Sequence, residues 1–139
     1  MRARSAVEVK NYLRHLGVPA SAVEPTLEKL RRLNYINDEA FARNWALSRA
    51  EHQGYGPRRI DQELRKKGVV DKIIRAAVEE IFAQENEEAR ARRILQKRFA
   101  GAMLQEPRML HRAVGFLQRR GYSAKVISTL LHYSIDDNC

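Results

Sequence analysis

Apolar residues return every three or four positions along almost the whole chain. Runs of strict alternation are absent, as are Asn-Gly and Asp-Gly hairpin signals. That spacing predicts helices throughout and argues against strands. Ser5-Ala6-Val7-Glu8 reads as a capping box, with Leu13 and Leu16 continuing a buried face to Gly17. Ser21-Ala22-Val23-Glu24 repeats that signal and opens a helix with Val23, Leu27 and Leu30 on one side. Pro25 is expected in its first turn, where a missing amide hydrogen costs little. Asn37 or Asp38 caps the next helix, which carries Phe41, Trp45 and Leu47 toward about His52. Gly54-Tyr55-Gly56 breaks the chain, and Pro57 restarts it with Ile60 and Leu64 inward until Gly68. Asp71 caps a helix bearing Ile73, Ile74, Val78 and Ile81. Two more helices are expected over roughly 86–101 and 107–120, the second ending at Gly121, and Ser123 caps the last, with Val126, Ile127 and Leu131.

Three of the helical hairpins are copies of one another. With Gly17, Gly68 and Gly121 aligned, Val9, Ile60 and Ala113 stand eight residues before the glycine, and Leu13, Leu64 and Leu117 four before. Val23, Ile74 and Ile127 stand six after, and Leu27, Val78 and Leu131 ten after. Gaps of eight and four keep side chains on one helical face, so each unit packs two helices across a left-handed glycine corner. A further helix precedes the second and third hairpins (38–52 and 86–101), giving a three-helix repeat of about 50 residues. The first unit has no room for that helix. The expected fold is therefore all-α: tandem three-helix repeats in an elongated, slightly curved array, with units at 1–36, 37–85 and 86–139.

Composition adds a partner to this picture. The 139 residues hold 26 Lys+Arg against 17 Asp+Glu, a formal charge of +9, which attracts polyanions. The two ends are basic and the middle is balanced. Hydrophobic residues make up 44%, enough for a packed core. No apolar run reaches the roughly 18 residues a membrane span needs. Met1-Arg2-Ala3-Arg4-Ser5 leads into a charged segment and not a secretory core, so the expectation is a cytoplasmic protein without membrane attachment. The only cysteine, Cys139, excludes disulfide and multi-cysteine zinc frameworks.

Catalytic chemistry finds no foothold. His15, His52, His111 and His132 share no metal-ligand spacing, and the tail His132/Asp136/Asp137/Cys139 reads as an acidic terminus. Gly54-Tyr55-Gly56-Pro57 lacks both the preceding strand and the lysine-serine/threonine ending of a phosphate loop. Glu79-Glu80 and Glu87-Glu88 are adjacent on helices and point in different directions, which suits solvation. No enzyme, metal or cofactor is expected. The basic residues are the better candidates: Arg58, Arg59, Lys66 and Lys67 share one helix, and Arg119-Arg120 stands at the third corner where Lys66-Lys67 stands at the second. Equivalent corners of stacked repeats would project to one side as a stripe; the alternative is an ordinary solvated helix face. The Phe residues and Trp45 read as core, leaving Tyr55 as the aromatic expected to be exposed.

Tyr35-Ile36-Asn37-Asp38-Glu39-Ala40-Phe41-Ala42 resembles the signature opening the second repeat of the RecX family of recombinase regulators. Gly54 through Ile60, Glu63-Leu64 and Lys67-Gly68-Val69 resemble that repeat's second helix and corner. Arg4-Ser5 with Glu8-Val9 resembles the start of the family's first hairpin, and Leu117-Gln118-Arg119-Arg120-Gly121-Tyr122-Ser123 the corner of its third. The resemblance implies an array lodged in the helical groove of the RecA–DNA filament, restraining ATP hydrolysis, strand exchange and filament growth without a catalytic centre. It implies as partners the RecA filament and, weakly and in a salt-sensitive way, single- and double-stranded DNA, with the protein a monomer. Two features depart from the pattern: the first repeat's opening helix is missing, and Tyr55 stands where many relatives have lysine between the two glycines. Arg58, Arg59, Lys66, Lys67, Arg119 and Arg120 are the candidates for electrostatic contact, with Tyr55 beside them. A helical protein acting on naked duplex or single-stranded DNA, and an adaptor reading an acidic protein helix, remain open alternatives.

Overall fold

A computed structural model describes residues 4–33 and 36–132. Tyr35 of the opening signature and the tail 133–139 lie outside the described residues. Eight α-helices run in order: α1 (Ala6–His15), α2 (Ala20–Arg32), α3 (Asp38–His52), α4 (Pro57–Lys66), α5 (Asp71–Gln84), α6 (Glu87–Arg98), α7 (Pro107–Arg119) and α8 (Ala124–Leu131). They form elongated tandem repeats. Among the described residues one isolated β-bridge pairs Arg4 with Ile36 in parallel.

The caps explain most of the boundaries. At α1, the Ser5 side chain accepts from the Glu8 amide and Glu8 accepts from the Ser5 amide, closing the capping box. Asn37, Asn86 and Ser123 cap α3, α6 and α8 by accepting from the third residue onward. Two signals fall elsewhere. Ser21 is not a cap: α2 starts at Ala20 behind Pro19, whose fixed φ of −59° already turns the chain into the helix. Pro25 consequently sits in the second turn, on an exposed face where water can reach the Ser21 carbonyl it leaves unbonded. Asp71 is not the cap of α5 either; Val70 holds that position, and Asp71 in the first turn pairs with Arg65 and Arg75. The Arg65 guanidinium hydrogen-bonded to Asp71 holds that carboxyl below its usual range.

Each repeat has its own core. Phe41, Ala42, Ala46, Ile60, Leu64, Ile74 and Ile81 form the middle one; Ala91, Leu95, Ala113, Leu117, Tyr122 and Ile127 form the third; Val23, Leu27 and Ile36 form the first. The residues four before and six after each corner thus face inward as the glycine alignment requires. Leu16 and Leu47 do not: they are 59% and 41% exposed. Leu16 is the C-cap of α1, past the last residue whose direction the helix fixes, and Leu47 follows the inward Ala46 on the outer side of α3.

The repeats stack by one rule. Gly17, Gly68 and Gly121 all have positive φ (81°, 82° and 93°). Gly68 lies against Val7 in the first turn of α1, and Gly121 lies against Arg59 in the first turn of α4. The corner of each repeat therefore seats on the start of the preceding hairpin.

Candidate functional site

The start of α4 lacks a side-chain cap because its N-cap residue is Gly56. Its orphan amides are satisfied by the next repeat: Gly56 N donates to Arg120 O at 2.6 Å and Arg58 N to Gly121 O at 3.0 Å. The positive end of α4 thus faces the carbonyl end of α7, an arrangement both helix dipoles favour. Gly56 is required by space, since a Cβ there would lie 2.7 Å from Gly121 O. The Gly54-Tyr55-Gly56 segment, expected as a helix break, is also the seat of the third repeat. Tyr122, only 2% exposed, donates its hydroxyl to Gly54 O at 3.0 Å, and burial pushes that phenol up to about 12.

This junction gathers four of the sequence-derived candidates: Arg58, Arg59, Arg119 and Arg120. Two of them are engaged inside the chain. Arg59 donates to Arg119 O at 2.9 Å and lies 3.9 Å over the Tyr55 ring; Arg120 donates to Gln53 O and lies over Phe116 at 5.0 Å. Tyr55 is therefore half-buried beneath a guanidinium, and the expectation of an exposed ring there is corrected; among the described residues the exposed tyrosine is Tyr12, at 61%. Arg58 and Arg119 are exposed and form no ion pair among the described residues. Lys66 and Lys67 sit at the far end of α4, about 12 Å from Arg58 along the helix axis. Lys66 is exposed, whereas Lys67 lies 5.0 Å from the Trp45 ring, which Arg49 also covers at 4.3 Å. Glu63 ties this face together, accepting from Trp45 Nε1 at 3.0 Å and pairing with Arg49 at 3.3 Å.

A cleft of about 320 Å³ opens between α4 and the third corner, edged by Arg58, Gln62, Gln118 and Arg119, with Gly121 and Ile127 in its wall. No carboxylate lines it. Its larger neighbour, about 460 Å³ between α4 and α5, carries Asp61, Asp71 and Glu79 beside Arg58 and Arg75. Among the described residues no group of three His, Cys, Asp or Glu side chains could hold a metal, and no helix is long and apolar enough to cross a membrane.

One structural residue escaped the sequence reading. Arg90, 3% exposed, donates to Ile81 O at 3.2 Å and Glu85 O at 2.8 Å and pairs with Glu51 at 3.0 Å, bracing α6 against the ends of α3 and α5. The signal was present: aligning Asn37-Asp38-Glu39-Ala40-Phe41-Ala42 with Asn86-Glu87-Glu88-Ala89-Arg90-Ala91 puts a cation in an apolar column. Glu87 likewise has a fixed role, accepting from the Ser123 amide at 2.7 Å.

Stacked three-helix units with arginines at their junction define an all-α helical-repeat protein. The comparisons narrow that class. Residues 37–78 match the family model "RecX, second three-helix domain" and residues 85–131 match "RecX, third three-helix domain". The chain is 37% identical to the regulatory protein RecX of Corynebacterium efficiens, over 98% of this chain and 67% of the relative. It is 36% identical to that of Amycolatopsis mediterranei, over 94% and 75%. It superposes on a crystal structure of RecX from Lactobacillus salivarius with TM-score 0.78 at 22% identity, covering 94% of this chain and 85% of the other, a likeness of fold alone. A second crystal structure, of a regulatory protein RecX, gives TM-score 0.79 at 26% identity, covering 94% and 64%. The chain belongs to the RecX family.

Proposed function

We propose that this chain regulates homologous recombination by binding the RecA–DNA filament along its groove and restraining ATP turnover and strand exchange. The carrying observation is family membership across consecutive second and third three-helix domains. In this reading 1–36, 37–85 and 86–139 act as successive docking units, in the cytoplasm and as a monomer. Arg58, Arg119 and Lys66 are the leading electrostatic contacts, being exposed and unpaired among the described residues. Lys67 contributes less, while Arg59, Arg120 and Tyr55 fix the junction that presents them. A chain bridging several recombinase subunits shifts the filament only by binding one of its states more tightly than another.

Charge reversal tests the assignment. The variant Lys66→Glu/Lys67→Glu/Arg119→Glu, with helicity checked by circular dichroism, is expected to lose inhibition of DNA-dependent ATP turnover by a RecA recombinase. Undiminished inhibition would remove these residues from the contact surface.

A further inference from the structure

We infer that the cleft between α4 and the third corner is a seat for a nucleic-acid backbone phosphate, gripped between Arg58 and Arg119. The inference deepens the proposed reading by stating what one part of the surface recognises, and it rests on that reading only for the source of the DNA.

Several of the chain's other arginines are neutralised where they stand. Arg43, Arg49, Arg65, Arg75, Arg92 and Arg93 each meet a carboxylate within 3.3 Å. At the junction the backbone bond from Arg58 N to Gly121 O holds α4 against the third corner, and the exposed Arg58 and Arg119 both line the cleft between them, which no carboxylate lines. Cations sharing one cleft without a carboxylate among them favour an anion there. Arg59 adds a third guanidinium to the wall, already fixed by Arg119 O and the Tyr55 ring and partly compensated by Glu63 at 3.9 Å. That pre-ordering lowers the entropy cost of binding.

The lining also selects among anions. Gln62 and Gln118 add neutral donors and acceptors at the rim, which suits a phosphodiester flanked by carbonyl-bearing bases more than a bare carboxylate. Guanidinium forks match phosphate oxygens two at a time. The neighbouring cleft, with Asp61, Asp71 and Glu79, repels a second phosphate, so one strand crosses at the junction and does not run along α4 toward α5. The Gly56 and Arg58 amides at the start of α4 are already occupied by the third corner, leaving recognition to side chains.

The test uses the full chain and a fluorescein-labelled oligothymidylate, with binding measured by anisotropy across a salt series. Arg58→Gln/Arg119→Gln is expected to weaken binding roughly tenfold and to flatten the slope of log K against log salt by about 1.4, two contacts to a single strand. Neither side chain makes a hydrogen bond or ion pair among the described residues, so the variant keeps its fold, which circular dichroism and Trp45 fluorescence check. Arg58→Lys/Arg119→Lys should restore the slope, because charge is retained. Arg14→Gln/Lys29→Gln removes two exposed, unpaired cations from the first repeat and should leave binding close to wild type. Equal loss in both neutral pairs would overturn the inference in favour of a diffuse positive field. Unchanged DNA binding with lost control of recombinase ATP turnover would overturn it too, assigning the cleft to a protein carboxylate. A wild-type chain that leaves the recombinase untouched would sink the proposed function while the cleft result stood.

Discussion

Alanine placed at the corner glycines separates backbone strain from repeat stacking, because the three positions share one conformation and differ in what surrounds them. A side chain at left-handed φ costs about 1–2 kcal/mol wherever it occurs. At Gly17 nothing lies within 4 Å of an added Cβ, so Gly17→Ala should lose about 1 kcal/mol and no more. At Gly68 the new atom meets the Val7 side chain, which can turn away, giving an intermediate loss. At Gly121 it meets Arg59 main-chain atoms, with Cα at 2.9 Å, and these cannot move without lifting the third repeat off α4. That displacement breaks Gly56 N–Arg120 O, Arg58 N–Gly121 O and Tyr122 Oη–Gly54 O. At roughly 0.5–1.5 kcal/mol net for each bond, added to the backbone strain, the Gly121→Ala total comes to roughly 2.5–6.5 kcal/mol. Stacked repeats are held together by such nearest-neighbour terms, so the Gly121 variant should also unfold less cooperatively. Urea unfolding followed by circular dichroism and by Trp45, which lies in the second repeat, reads both effects. Equal losses at Gly17 and Gly121 would refute the stacking rule and leave only backbone strain.

Arg90→Met should cost roughly 2–3 kcal/mol in the same assay, because it leaves the Ile81 and Glu85 carbonyls without their donor. Glu51→Gln, whose partner retains those carbonyls, should cost less than about 1 kcal/mol. Ser5→Ala removes the capping-box acceptor of α1 and should cost about 1 kcal/mol, with the loss confined to the first repeat by amide exchange. Tyr122 supplies a pH test. Its folded pKa is raised to about 12 from 10.0, so its stabilising contribution is complete below pH 10.0 and is lost as pH climbs toward 12. Tyr122→Phe should lose stability near neutral pH with the Gly54 bond and show a flatter decline across that alkaline window.

The helices were legible because caps and glycines act locally. Ser5-Glu8, Asn37, Pro57 and Ser123 fix helix starts with side chains that need only their own neighbours in sequence, and the corner glycines mark stops for the same reason. The repeat alignment then carried Ile60, Leu64, Ile74, Leu117 and Ile127 into the core, all fully buried. What the sequence left hidden lies between repeats. No local pattern tells that Gly56 is capped by the corner of another unit, or that Arg59 and Arg120 donate to carbonyls about 60 residues away. Composition counts six cations and one tyrosine alike. The junction geometry divides them, turning Arg59, Arg120 and Tyr55 inward and leaving Arg58, Arg119 and Lys66 outward. Arg90 shows the same limit: a buried cation looks like any other helix arginine until the carbonyls it reaches are placed.

The most direct measurement is DNA-dependent ATP turnover by a RecA recombinase, titrated with this chain at low and high salt alongside binding of the chain to the same DNA alone. The account predicts strong inhibition at chain concentrations where naked DNA is barely bound, with both effects weakening as salt rises. Unaltered turnover, or inhibition that appears only once the DNA itself is saturated with this chain, would contradict it.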